Sequence, residues 1–154
     1  MPLSQNEADQ LLQMPKEFVD ASPLEFTRTT TMDYDRFLRS ADKREEFILT
    51  LERGIRKRLR LKFQTRARKV IVLARLDLHG APHKNPPGAP YKPGQWLNET
   101  HLHLYREGFE DRIAYEMTDA PGWTIGQDVD DLQMLEGFLR YCGITDWPQI
   151  QMGL

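Results

Sequence analysis

Apolar and polar residues alternate along the middle of the chain with the period of two that is typical of half-buried β-strands. The clearest alternating run begins at Glu45, and only Ile48 breaks it. Its inward-facing apolar residues are Phe47, Leu49 and Leu51. A strand is also predicted over 34–40, because residues 41–44 have the composition of a turn that joins it to this run, with a short helix as the alternative.

Two further strands are predicted after a turn at residues 53–54. In the first, Leu59, Leu61 and Phe63 face inward, and the opposite face is polar and mostly basic. The second runs from Val70 to His79. Its predicted core face consists of Val70, Val72, Ala74, Leu76 and Leu78. Consecutive strands joined by short turns must pair antiparallel, since parallel neighbours need longer crossovers.

Helices are predicted at both ends of the chain. Ser4 and Glu7 have the spacing of a capping box, which predicts a first helix from Gln5 to Met14. A last helix is predicted from a cap at Asp128, with apolar residues at helical spacing up to Gly143. The connection over 15–31 shows no clear period.

Proline and glycine dominate residues 80–100, and this composition predicts a long loop without regular structure. The loop leaves one strand and returns into another over 101–108, which forms a hairpin with 111–117. We therefore expect an α+β fold. It is an antiparallel β-meander of about five to six strands, with an N-terminal and a C-terminal helix packed on the sheet.

The composition fits one domain, since the chain has 154 residues of which 40% are apolar. No run approaches the roughly 18 apolar residues of a membrane span, and the N-terminus lacks the pattern of a secretory signal. We expect a cytoplasmic protein without a membrane partner. The single cysteine, Cys142, lies on the apolar stripe of the last helix and is predicted to be a core residue.

Basic residues are concentrated in the middle of the chain, where residues 55–69 hold eight of its 21 lysines and arginines. A row of cations on one strand is typical of nucleic-acid or phosphate contact. The candidate nucleic-acid-binding residues are Arg56, Arg58, Arg60, Lys62, Arg66, Arg68 and Arg75. The alternative is a solvated strand, one covered by the acidic N- and C-terminal segments, or one whose charges discourage edge pairing.

All four histidines lie within one stretch of 25 residues. They are His79, His83, His101 and His103. In a strand, His101, His103 and Tyr105 share one face, so that two imidazoles lie side by side. Histidine both transfers protons near neutral pH and binds metals, and both kinds of chemistry remain open.

The string His-Leu-His-Leu-Tyr-Arg-Glu-Gly at 101–108 resembles a motif of an uncharacterised family of small bacterial proteins. Further segments with this resemblance are 4–16, 76–80, 82–86 and 138–142. The resemblance spans most of the chain and implies no activity, and the loop over 87–98 is longer than the family pattern. At the level of fold, the chain is also similar to toxin-type endoribonucleases, a likeness that implies an antitoxin or defence component as a protein partner.

One interpretation of the histidines is a metal site. His101 and His103 followed by Glu107 echo the first metal motif of cupins, but no histidine follows to supply the second. His79, His83 or Asp77 would complete a site, because three protein ligands and a water suffice for catalytic zinc. The sequence prediction nevertheless includes no cofactor.

A second interpretation is metal-free RNA cleavage, with His101 and His103 as base and acid. Tyr105 would be a supporting donor, and Arg106 or Arg75 would hold the phosphate. The candidate catalytic residues are His101, His103, Tyr105, Arg106 and His79, with His83 and Lys84 on the adjoining loop.

The third interpretation is that the histidines are structural and that the protein only binds its partner. The sequence as a whole predicts a protein directed at nucleic acid, RNA rather than DNA, with a candidate metal-independent endoribonuclease site of the toxin or mobile-element type. The alternative is a non-catalytic interaction protein, such as an inhibitor or accessory factor of a defence system, that binds nucleic acid or a protein through its basic strand.

Overall fold

The computed structural model describes residues 2–54, 59–126 and 128–154. Its elements, in chain order, are α1 (Gln5–Gln13), β1 (Lys16–Phe18), β2 (Leu24–Phe26), β3 (Met32–Ser40), β4 (Glu46–Arg53), β5 (Leu61–Ala67), β6 (Ile71–Leu78), β7 (His83–Lys84), β8 (Trp96–Leu97), β9 (His101–Arg106), β10 (Glu110–Glu116), α2 (Asp131–Tyr141) and β11 (Ile150–Met152).

The main sheet has seven strands in the order β1-β3-β4-β5-β6-β9-β10, and every neighbouring pair is antiparallel. The predicted α+β class is confirmed, although the sheet is larger than the five to six strands expected. The additional strand is β1, which lies in the segment over 15–31 where no regular structure was predicted. Two small sheets accompany the main one, a parallel pair β2 and β11 and an antiparallel pair β7 and β8.

One face of the sheet carries the hydrophobic core, as the alternation in β4 predicts. The β4 residues Phe47, Leu49 and Leu51 are all fully buried. Farther along the sheet, the ring of Phe63 lies 6.1 Å from that of Phe138 in α2 and 6.2 Å from that of Phe26. Aromatic packing of this kind joins α2 to the sheet, so the predicted placement of the last helix is confirmed.

Strands β5 and β6 differ from their predicted patterns at their ends. Leu59 and Val70 were both expected in the core, but they are 71% and 78% exposed. In β6 the cause is a β-bulge: Thr65 pairs with Ala74, whereas Arg66 pairs with Val72. The extra residue, Leu73, is buried instead. A bulge reverses the facing of every residue beyond it, and a period of two cannot reveal it.

The helix starts are set by side-chain caps. The predicted capping box of α1 is present, with Ser4 and Glu7 each accepting a backbone N–H of the other. Helix α2 begins later than predicted, because its cap is Asp130 rather than Asp128. The Asp130 carboxylate accepts the N–H of Gln133 at 2.8 Å, and the Gln133 side chain accepts the N–H of Asp130 at 3.0 Å.

Replacing Asp130 with alanine is expected to lower the free energy of unfolding by about 1 kcal/mol, because the helix loses its N-cap acceptor. Asp128→Ala is the matched control and is expected to leave the stability unchanged within a few tenths of a kcal/mol. Urea unfolding followed by circular dichroism measures both variants. An equal loss in the two variants would contradict this position of the cap.

The loop over 80–100 is more ordered than its composition predicts, because β7 and β8 pair within it. The fully buried side chain of Asn85 fastens it to β10 at the sheet edge. Its Nδ2 donates to the carbonyl of Ala114 at 3.0 Å, and the Ala114 N–H donates to its Oδ1 at 2.9 Å. A side-chain amide has the same donor and acceptor as a peptide group, so Asn85 pairs with the edge like another strand.

Candidate functional site

Four polar side chains meet on one face of β6 and β9. In the antiparallel register, Arg75 lies opposite His103 and Asp77 lies opposite His101. Directly opposite residues of neighbouring strands have their side chains on the same face, within contact distance. We call Arg75, Asp77, His101 and His103 the histidine cluster. The sequence brought His101 and His103 together by alternation, and the strand pairing adds Asp77 and Arg75.

The loop over 80–100 covers this cluster. The ring of His83 lies 4.6 Å from that of His103 and 5.7 Å from that of His101, and its Nε2 donates to the carbonyl of Arg112. His101 and His103 are only 1% and 2% exposed. The two histidines therefore lie in a closed polar interior, whereas the sequence placed them on an open face.

His101 has one ring nitrogen satisfied and one without a hydrogen bond. Its Nδ1 donates to the carbonyl of Asn98 at 2.6 Å, so in the neutral ring Nε2 carries the lone pair. This buried Nε2 lies 3.4 Å from Oδ2 of Asp77, yet it forms no hydrogen bond among the described residues. A buried ring nitrogen and a carboxylate oxygen thus face each other across a short gap.

His103 is held in the same tautomer. Its Nδ1 donates to the carbonyl of Asp111 at 2.9 Å, and its Nε2 accepts from Nη2 of Arg75 at 2.9 Å. Burial and the charge of Arg75 lower the pKa of His103 to about 3. The ring is therefore neutral at pH 7 and does not serve as a proton donor there.

Asp77 remains ionised despite its burial. Burial by itself raises the pKa of this carboxyl, but the facing His101 ring and the guanidinium of Arg75 outweigh it and lower the pKa to about 2. The Nε of Arg75 donates to Oδ1 of Asp77 at 2.9 Å. Arg75 thus links Asp77 to His103 inside the cluster.

The other predicted catalytic residues lie outside the cluster. Tyr105 is buried and donates to the carbonyl of Leu3 at 2.7 Å. Arg106 donates to the hydroxyl of Tyr115 at 2.8 Å. His79 is half exposed beside Asp131, with 3.1 Å between Nε2 and Oδ1. Tyr105 and Arg106 thus bond to Leu3 and Tyr115, and their roles as supporting donor and phosphate anchor stay predictions from the sequence.

The structure also shows the surroundings of Lys84 and Cys142, two further residues considered from the sequence. Lys84 is exposed on β7 and pairs with Trp96 of β8. The thiol of Cys142 is fully buried, as predicted, and burial raises its pKa to about 12. Two residues that support the histidine cluster were not identified from the sequence: Asn85, which anchors the covering loop, and Asp111, whose carbonyl accepts from His103. An asparagine between a lysine and two prolines was nevertheless a recognisable signal of a residue that anchors a loop.

Three of the predicted basic residues form salt bridges with acidic neighbours. Arg66 lies 3.5 Å from Asp35 and Arg68 lies 3.2 Å from Glu45, and Arg75 belongs to the histidine cluster. Lys62 faces Glu52 and Asp77 across the neighbouring strands. Arg60 lies beside Gly80, while Arg56 and Arg58 fall outside the described residues.

Two lysines that form no salt bridge in the described part of the chain lie in adjacent turns. The turn between β3 and β4 carries Lys43, and the turn between β5 and β6 carries Lys69, and neither forms a salt bridge within the described ranges. Both residues line a groove of about 480 Å³ together with Phe37 and Arg39. We call this feature the Phe37 groove. The sequence did not single out Phe37, although the alternation along β3 places it opposite the core residue Leu38.

These features define a class: an α+β protein with a seven-stranded antiparallel sheet and a covered cluster of histidine, aspartate and arginine. The chain belongs to DUF6978, a family of unknown function whose model matches residues 3–144. This agrees with the resemblance to an uncharacterised family. Comparison with curated proteins and with solved structures gave no match.

The described part of the chain contains no helix with the length and apolar character needed to span a membrane. The longer of its two helices, α2, has 11 residues, whereas a span needs about 20.

Proposed function

We propose that the protein binds single-stranded nucleic acid at the Phe37 groove without cleaving it. The observation that carries this proposal is an aromatic ring, 61% exposed, in a groove whose charged lining residues are mostly cationic. These charged residues are Arg39, Lys43, Lys69 and Glu46. Arg39 forms a salt bridge with Glu17 at 2.9 Å, so Lys43 and Lys69 are the cations that we propose for phosphate contact. Bases stack on exposed aromatic rings while lysine and arginine neutralise the adjoining phosphates, and this combination is typical of single-strand binding surfaces.

The groove lies on paired strands, and its two lysines lie in turns with left-handed backbone conformations. Phe37 pairs with Ile48 in the register of β3 and β4, and Val19 of the flanking segment is half exposed beside it. Lys43 and Lys69 both have left-handed backbone conformations, with φ of 63° and 70°. Such conformations cost about 1 kcal/mol for residues other than glycine. The two turns lie at the same end of the sheet, so both lysines flank the groove.

The proposal includes binding and not catalysis. Cleavage of RNA by His101 and His103 stays a prediction from the sequence. The burial of both rings and the low pKa of His103, about 3, speak against a role as base and acid at neutral pH. The proposal corresponds to the non-catalytic alternative from the sequence. It differs in the proposed contact surface, which is the Phe37 groove rather than the basic strand.

Phe37→Ala is expected to weaken binding of a fluorescein-labelled 12-nucleotide RNA by roughly tenfold, since one stacked base contributes about 1–3 kcal/mol. Lys43→Gln is expected to reduce the slope of log Kd against log salt by about 0.7, the value for one phosphate contact on a single strand. Fluorescence anisotropy between 50 and 200 mM salt measures both effects. A DNA strand of the same sequence tests whether the 2′-hydroxyls contribute.

Trp96→Ala and Lys84→Gln are the matched controls. Trp96 is as exposed as Phe37, at 66%, and it lies with Lys84 on the β7–β8 pair, away from the groove. Both controls are expected to bind like the unaltered chain. The proposal is wrong if neither RNA nor DNA binds, or if Trp96→Ala weakens binding as much as Phe37→Ala.

A further inference from the structure

We infer that Asp77, His101 and His103 form a binding site for one divalent transition-metal ion of the zinc type. Two imidazole nitrogens and one carboxylate oxygen are a donor set that such ions prefer. The inference does not depend on nucleic-acid binding at the Phe37 groove. Of the third ligands considered from the sequence, the site takes Asp77, whereas His79 lies outside it and His83 lies in the covering loop.

The spacing of the three donor atoms suits a tetrahedral ion. All of them lie within 4.8 Å of one another. Two ligands at about 2.1 Å from a tetrahedral centre lie roughly 3.4 Å apart. The distance between Nε2 of His101 and Oδ2 of Asp77 is already 3.4 Å, and the distance from Nε2 of His103 to the same oxygen is 3.8 Å.

Both histidines are oriented as metal ligands usually are. Each Nδ1 donates to a backbone carbonyl, that of Asn98 for His101 and that of Asp111 for His103. Such a bond fixes the tautomer and directs the lone pair of Nε2 toward the ion. Because the ligands lie on the paired strands β6 and β9, the sheet holds them in place without an ordering step.

The unpartnered Nε2 of His101 is the independent sign of a ligand. A buried polar atom without a hydrogen bond costs about 1–3 kcal/mol, and such atoms are rare in folded proteins. This one is directed toward the carboxylate of Asp77 rather than toward solvent. A cation between the two atoms satisfies the nitrogen and neutralises the carboxylate at the same time.

Arg75 competes with the ion. Its Nη2 lies 2.9 Å from Nε2 of His103 and must leave before that nitrogen coordinates a metal. Asp111 can receive it, since its Oδ2 lies 3.9 Å from Nη1 of Arg75. Arg75 is therefore a positioning residue that lowers the metal affinity through its charge and its hydrogen bond.

The test uses the full chain without an affinity tag, stripped with EDTA and then titrated with Zn²⁺ or Co²⁺. We expect one ion per chain by elemental analysis and a Co²⁺ absorption spectrum typical of nitrogen and oxygen ligands. His101→Gln and Asp77→Asn are expected to weaken binding by roughly 100-fold or more. His79→Gln, which alters an exposed histidine outside the site, is expected to leave the affinity unchanged.

Arg75→Gln tests the site through an increase in affinity, which misfolding would not produce. Removing the competing charge is expected to tighten Zn²⁺ binding by about tenfold, whereas a damaged site would bind more weakly. The inference is overturned if the unaltered chain binds no ion, or if His79→Gln loses as much affinity as His101→Gln. The RNA measurements are to be repeated in EDTA, where no metal is bound, so that failure of either proposal is distinguishable from failure of the other.

Discussion

Lys16→Met is expected to lower the free energy of unfolding by about 3–5 kcal/mol. Lys16 is buried at the start of β1, and its ammonium nitrogen lies 2.6–3.0 Å from four backbone carbonyl oxygens, among which its three N–H groups are shared. Three of these carbonyls belong to the end of α1 and the turn after it, and the fourth belongs to Cys142 at the end of α2. Burial lowers the pKa of Lys16 to about 8, so the group remains charged at pH 7.

Methionine has nearly the length of lysine but no donor, and it leaves the converging carbonyls without a partner. It also removes the cation that lies 4.5 Å from the centre of the Phe47 ring. Lys84→Met alters an exposed lysine and is expected to change the stability by less than about 0.5 kcal/mol. Urea unfolding at pH 7 compares the two. A loss below 1 kcal/mol for Lys16→Met would indicate that water replaces the ammonium group.

The metal-free protein is expected to lose stability as the pH falls from 6.5 toward 3. Burial and the charge of Arg75 lower the pKa of His103 from 6.5 to about 3 in the folded state. Between these values the unfolded chain binds a proton that the folded chain does not. Acid therefore favours the unfolded state, by on the order of 4 kcal/mol over the whole interval. The titratable and charged groups that face His103 are Arg75, Asp77, His83, His101 and Asp111.

Asp77 acts in the same direction at lower pH. Its folded-state pKa of about 2 lies below the ordinary value of 3.8, so the stability it contributes is present above pH 3.8 and is lost as the pH falls through 2. Urea unfolding in EDTA at several pH values from 4 to 7 measures the effect of His103. His103→Asn is expected to flatten this dependence, while His79→Gln is expected to keep it. A flat dependence in the unaltered chain would contradict the prediction.

The local pattern of the chain predicted most of the sheet. Alternation is a property of a strand and its own side chains, so Phe47, Leu49 and Leu51 were assigned to the core before any pairing was known. The same reasoning put His101 and His103 on one face of β9. The capping box of α1 was equally readable, because both of its members lie within one turn.

The remaining differences come from contacts between distant segments. The bulge at Leu73 depends on how β6 pairs with β5, and the short strand β11 exists only because it pairs with β2. The acidic partners of the basic strand could not be predicted from the sequence either, since Arg66 and Asp35 are 31 residues apart. No periodicity in one segment contains this information.

The sequence by itself determined the class of the fold, the helix at each end and the common face of His101 and His103, because each of these follows from propensities and spacings within a few residues. Only the tertiary structure decided that this face is covered rather than open. Asn85 fastens the loop over 80–100 to β10, and His83 packs on the two rings. Burial depends on contacts from segments that are far apart in the chain. In this protein those contacts enclose His101 and His103, which the sequence placed on an open catalytic face, in a cluster of side chains that we infer to bind a metal ion.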